Sequence, residues 1–145
     1  MSRAVALLPL LLMVAACGGG GDSPNPVAPT IPPQPFAVTD LRLGTGAESA
    51  NGRSLTVNYA GWFFSTTGAD NKGALFDTSV GRAPYTFTLG AGQVIRGWDQ
   101  GLGGMKVGGV RRLVVPPELA YGAAGYLTIP PNTNLVFEVE LLAVQ

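Results

Sequence analysis

The chain of 145 residues contains no histidine and one cysteine, Cys17. Zinc sites draw on several Cys or His ligands, so composition alone excludes one of the usual kind. The same absence removes a Ser-His-Asp triad and any imidazole proton shuttle. Charge is sparse as well: nine basic and nine acidic residues balance to a formal net charge of zero. They form no basic stripe of the sort that holds nucleic acid. A reaction run by this chain must therefore proceed without an imidazole, and neither a metal, a cofactor nor a nucleic-acid partner is expected.

What the sequence does contain is unevenly distributed. Arg3 precedes an apolar run from Ala4 to Ala15, broken at Pro9. The run is too short to span a bilayer and has the form of a signal h-region. It ends in Val14-Ala15-Ala16-Cys17, which resembles a bacterial lipobox. That resemblance implies cleavage of residues 1–16 and lipidation of Cys17. Several acyl chains anchor firmly where a single one binds only marginally. Gly18 follows the cysteine, and by resemblance to proteobacterial lipoproteins a non-Asp residue there implies export to the outer membrane. The expected location is the bacterial cell envelope, lipid-anchored in the outer membrane and facing the periplasm. The alternative is an ordinary secretory signal followed by a chance cysteine.

Residues 17–36 read as a tether. Gly18 to Gly21 is flexible, and prolines at 24, 26, 29, 32, 33 and 35 favour an extended chain. The segment has too little apolar surface to bury a core of its own. A Pro-rich ligand for a partner protein is the second reading. Residues 37–145 carry the composition of a folded domain, at a size that is stable without disulfides or metals.

Within that domain several segments alternate apolar and polar residues, the pattern of a half-buried strand. Leu55, Val57, Tyr59 and Phe63 share one face of a strand, as do Leu135, Phe137, Val139 and Leu141 of another. In the second, Glu138 and Glu140 point the other way. Val110 to Val115, Thr86 to Leu89 and Val38 to Leu43 read as further strands, separated by glycine-rich turns. Ile95, Trp98 and Leu102 instead recur at helical spacing and predict one short amphipathic helix ending near Gly103-Gly104. The expected fold is α+β: an antiparallel sheet of about five strands wrapped on one short α-helix.

The string Val94-Ile95-Arg96-Gly97-Trp98-Asp99-Gln100-Gly101-Leu102 resembles the signature of the FKBP family of peptidyl-prolyl cis/trans isomerases. Four further blocks resemble that family in its order: Leu75-Phe76-Asp77-Thr78-Ser79, Val115-Pro116-Pro117-Glu118-Leu119-Ala120-Tyr121-Gly122, Ile129-Pro130-Pro131-Asn132-Thr133 and the run from Leu135 to Leu142. The resemblance covers residues 40–145.

It implies a substrate pocket with Trp98 as its floor, Tyr59, Phe76 and Phe137 as aromatic walls, and Val94 and Ile95 at the rim. It gives Asp77 as an acidic side chain, Tyr121 as a hydroxyl donor near the mouth and Arg82 as the basic partner of that cluster. Tyr85, where the family usually has Phe, and Ile129 complete the implied substrate-binding set. Asp77, Tyr121, Ile95 and Trp98 are the implied catalytic residues. Proline-containing polypeptides are the implied substrates and macrolides the implied inhibitors.

Apart from that context, aromatics on strands are usually core, and Asp77 before Thr78-Ser79 reads as a turn residue. Two loops depart from the family pattern. Ser65 to Gly73 is longer than in minimal members. Gly122 to Thr128 is one residue shorter, with Tyr126 where many members have His and Thr128 in place of an apolar rim residue. A non-catalytic chaperone or peptide-binding module on the same fold is the rival function. The long appended domains of dimeric relatives are missing, so a monomer is expected.

Overall fold

A computed structural model describes residues 31–145. Cys17 and the leader 1–16, together with most of the tether, lie outside the described residues.

Six strands form one antiparallel sheet: β1 (Ala37–Arg42), β2 (Ser54–Phe64), β3 (Lys72–Thr78), β4 (Tyr85–Thr88), β5 (Val110–Val115) and β6 (Leu135–Val144). The order is β1-β5-β6-β2-β3, and β4 pairs with β2 beside it. Among the described residues one α-helix, α1 (Arg96–Gly101), and two short 3-10 turns complete the set. No helix among the described residues is long and apolar enough to cross a membrane.

The period-2 segments fold as the alternation requires. Leu55, Val57, Leu113, Val115, Leu135, Phe137, Val139 and Leu141 are buried in one cluster with Trp98 and Leu102 of the helix region. Glu138 and Glu140 lie on the opposite face. There Glu138 pairs with Lys72 at 2.6 Å and Arg112 at 3.0 Å, and Glu140 with Arg42 at 2.9 Å.

The helix reaches the sheet closely because two of its six residues lack side chains. A Cβ on Gly97 would lie 2.5 Å from Val115 Cγ1, and one on Gly101 2.7 Å from Leu113 Cδ2. Glycine costs helix propensity. Here it lets the backbone of α1 rest against β5 and sets the depth of Trp98.

Two elements differ from expectation. The helix spans Arg96–Gly101, so Ile95, which the spacing placed on it, belongs with Val94 to the turn that leads into it. The sheet has a sixth strand, β3, which pairs with β2 through register shifts at Gly61, Trp62 and Phe64. Its sequence Lys-Gly-Ala-Leu-Phe-Asp-Thr does not alternate, because an irregular edge strand does not bury every second residue. Asp77 therefore sits in a strand, not in a turn.

The end of the Pro-rich segment is tied to the domain. Asn134, 3% exposed, accepts the Gln34 N–H at 2.8 Å and donates its amide to the Pro32 carbonyl at 3.0 Å. Phe36 packs against the main core.

Candidate active site

Strand register brings the aromatic residues together. Gly61 of β2 lies opposite both Asp77 of β3 and Phe137 of β6, and Tyr59 is two residues away on the same strand face. β4 adds Tyr85 from the other end of β2. The helix carries Trp98 beneath them, and the loop after β5 brings Tyr121. These side chains enclose a cleft of 460 Å³ whose lining also includes Gly92, Gln93, Val94, Ile95 and Tyr126.

Trp98, 5% exposed, is the floor. Tyr59 and Phe137 meet its ring edge-to-face at 5.3 Å and 5.5 Å, with interplanar angles of 77° and 86°. Phe87 braces it from the core at 5.6 Å, and Phe76 stands against Phe137 at 5.7 Å and 88°. Edge-to-face contacts of this kind are the favoured aromatic geometry. The result is a cup with an aromatic floor and walls.

Polar groups line it as well. Asp77 Oδ2 accepts the Tyr59 hydroxyl at 2.7 Å, and Oδ1 accepts the Thr78 N–H at 2.9 Å and the Arg82 guanidinium at 3.2 Å. Burial first, and then the hydrogen bond to Asp77 and its charge, push the Tyr59 phenol up to about 12. Burial also raises Tyr121, with smaller contributions from Tyr126, Asp77 and Tyr85. Both phenols therefore keep their protons at neutral pH and act as donors. The Tyr121 hydroxyl and the Ile95 backbone N–H line the cleft and donate to no group among the described residues. No group of three His, Cys, Asp or Glu that could hold a metal ion occurs among the described residues.

A linked pH dependence follows from Tyr59. Its folded pKa lies above the unfolded value of 10, so between about 10 and about 12 the native state holds the proton that the unfolded state has lost. Stability from this group is complete below pH 10 and falls as pH rises through 12. Thermal melting of the wild type should lose ground over that window relative to Tyr59→Phe. Parallel curves for the two proteins would show that the fold does not hold the Tyr59 proton against burial and Asp77.

Of the residues expected in the site, Tyr59, Phe76, Asp77, Tyr85, Val94, Ile95, Trp98, Tyr121 and Phe137 line the cleft. Two do not. Arg82 stands outside it, its side chain 67% exposed, and reaches the site only through Asp77. Ile129 is buried in the core, and what it offers the site is its backbone, which exchanges two hydrogen bonds with Tyr126. Sequence reasoning missed Gln93. Its side-chain oxygen accepts the Thr88 N–H at 2.9 Å and so braces the rim turn. Only its position directly before Val94 hinted at this.

A family model described as FKBP-type peptidyl-prolyl cis-trans isomerase matches residues 46–142. The chain belongs to that family. It is 50% identical over 109 residues to an FK506-binding protein of Neisseria meningitidis serogroup A, covering 74% of this chain and 94% of the relative. Among solved structures, FkpA from Escherichia coli is similar at a TM-score of 0.64 and 42% identity, over 76% of this chain and 48% of that one. AtFKBP13 is similar at a TM-score of 0.65 and 35% identity, over 80% of this chain and 98% of that one.

Proposed function

We propose that this isomerase accelerates rotation about X-Pro bonds in exported polypeptides, and so their folding, from a lipid-anchored position in the bacterial envelope. The observation that carries the reading is the aromatic cup on Trp98 with two unengaged donors, Ile95 N–H and Tyr121 O–H, at its edge. Rotation of a peptide bond breaks amide resonance, at a barrier of roughly 18–20 kcal/mol. The cis and trans forms of X-Pro differ by only about 0.5–1 kcal/mol, so their exchange is slow but close to balanced.

A catalyst needs only to bind the twisted amide better than the planar one. Twisting removes charge separation from the amide, so its oxygen is less polar and a dry aromatic cup favours it. Trp98, Tyr59, Phe76 and Phe137 hold the proline ring and exclude water. Ile95 N–H and Tyr121 O–H bind carbonyls flanking the rotating bond. Asp77, braced by Arg82, holds Tyr59 in place.

Catalytic amounts of the full chain should shorten the proline-limited slow phase of a refolding protein, which lasts tens of seconds uncatalysed. Excess macrolide of the type that binds this family should restore that phase. The second reading, a client-holding module, draws support from the exposed Tyr126 and the 87% exposed Leu127 beside the cleft. It predicts suppressed aggregation with an unchanged slow phase.

Placement rests on Cys17. Cys17→Ser should move the protein from the membrane fraction to the soluble fraction, and persistence in the membrane would overturn the lipid anchor. The proposed state is a monomer facing the periplasm from the outer membrane.

A further inference from the structure

Tyr126 occupies a place in the cleft that the family resemblance does not assign to it. Its ring stacks on that of Tyr121 with centroids 5.2 Å apart and planes 12° from parallel. The loop between them is built to keep it there. Gly125 N–H donates to the Tyr121 carbonyl at 3.1 Å, turning the chain back within one helical-like step. Tyr126 and Ile129 then exchange hydrogen bonds, Tyr126 N–H to Ile129 O at 3.0 Å and Ile129 N–H to Tyr126 O at 2.8 Å.

The buried Ile129 side chain anchors this small hairpin in the core. Gly125 has φ +67, and a Cβ there would lie 2.5 Å from the Ile129 carbonyl oxygen. Only glycine permits the turn. Leu127 at the tip has φ 49, a left-handed conformation that costs a branched apolar side chain free energy. A loop of this kind spends conformational freedom to hold one ring against another.

Tyr121 needs such a support. Its hydroxyl makes no hydrogen bond to a side chain among the described residues, so none fixes the ring from its far end. The ring packs against the core, and a ring held by such contacts alone can still change rotamer and re-aim its hydroxyl.

We propose that Tyr126 is a positioning residue for catalysis: its ring holds Tyr121 in the rotamer that presents the hydroxyl to the substrate carbonyl. The assignment rests on the isomerase reading of the cleft. It also gives a use to the tyrosine found where many relatives carry histidine.

The test is a double-mutant cycle on the full chain, using isomerisation of a short X-Pro peptide, with circular dichroism and melting to show that each variant is folded. Tyr126→Ala should lower kcat/KM about two- to tenfold, the equivalent of one aromatic pair. Tyr126→Phe, which keeps the ring and drops the hydroxyl, should restore it. In a Tyr121→Phe background the effect of Tyr126→Ala should vanish, because there is no hydroxyl left to aim. A loss that persists in that background would mean that Tyr126 acts on substrate by itself, and it overturns the assignment. So does a Tyr126→Ala variant as active as wild type. A folded wild type with no activity overturns the isomerase reading as well, which separates the two failures.

Discussion

Trp98→Ala is expected to lower the melting midpoint by on the order of 15 °C and to abolish isomerase activity. The indole is the meeting point of Tyr59, Phe87 and Phe137, each at 5.3–5.6 Å. Removing a large buried ring costs about 3–5 kcal/mol, the lost transfer free energy plus the cavity left behind. That is a large share of the roughly 5–15 kcal/mol by which such domains are stable. The surrounding shell relaxes little, because α1 is pressed against β5 through Gly97 and cannot slide inward.

Activity should disappear even well below the new melting midpoint, where the variant is still folded, since the proline ring has lost its platform. Trp62→Ala is the control. Trp62 lies beneath the Lys72 ammonium, 4.4 Å from the ring centroid, and is absent from the cleft lining. A Trp98→Ala variant that melts within a few degrees of wild type would show that the ring is not the structural floor.

The second large effect concerns Asp77, and two substitutions separate its possible roles. The carboxylate accepts from Tyr59, Thr78 and Arg82. Arg82 pairs with it at 3.2 Å from the solvent side. The bond to Tyr59, at 2.7 Å, is the part that shapes the site. Asp77→Ala should therefore reduce kcat/KM on the order of tenfold, a loss of about 1.4 kcal/mol in transition-state binding. Its melting midpoint should fall only a few degrees, because the freed Tyr59 hydroxyl can turn to water in the open cleft. Asp77→Asn keeps an oxygen for Tyr59 and removes the charge, and it should retain most of the activity. Equal loss in both variants would assign the effect to the charge and not to Tyr59.

Much of this site was legible before the fold was seen, and the reason is physical. β2, β5 and β6 bury one face, so their alternation prints the core into the sequence, and Tyr59 and Phe137 fall on that face automatically. The helix was visible through the spacing of Ile95, Trp98 and Leu102. Its start was not, since Ile95 has no side-chain cap to mark it.

β3 was hidden because its pairing slips twice along β2, and an edge strand with register shifts leaves no period-2 trace. Arg82 and Ile129 were placed in the substrate-binding set by family resemblance alone. The first works at one remove through Asp77, and the second through its backbone. Neither kind of contact has a sequence signature. The Asn134 hydrogen bonds to Pro32 and Gln34 were equally silent, since they join residues about a hundred positions apart.

The most direct test of the account is exchange between the cis and trans forms of a short X-Pro peptide, followed by NMR with a catalytic amount of the full chain. The account predicts exchange far faster than the uncatalysed tens of seconds, lost in Trp98→Ala held below its melting midpoint and kept in Trp62→Ala. A folded wild type that binds the peptide and leaves the exchange rate unchanged would contradict it, and the cleft on Trp98 would then be a binding site without catalysis.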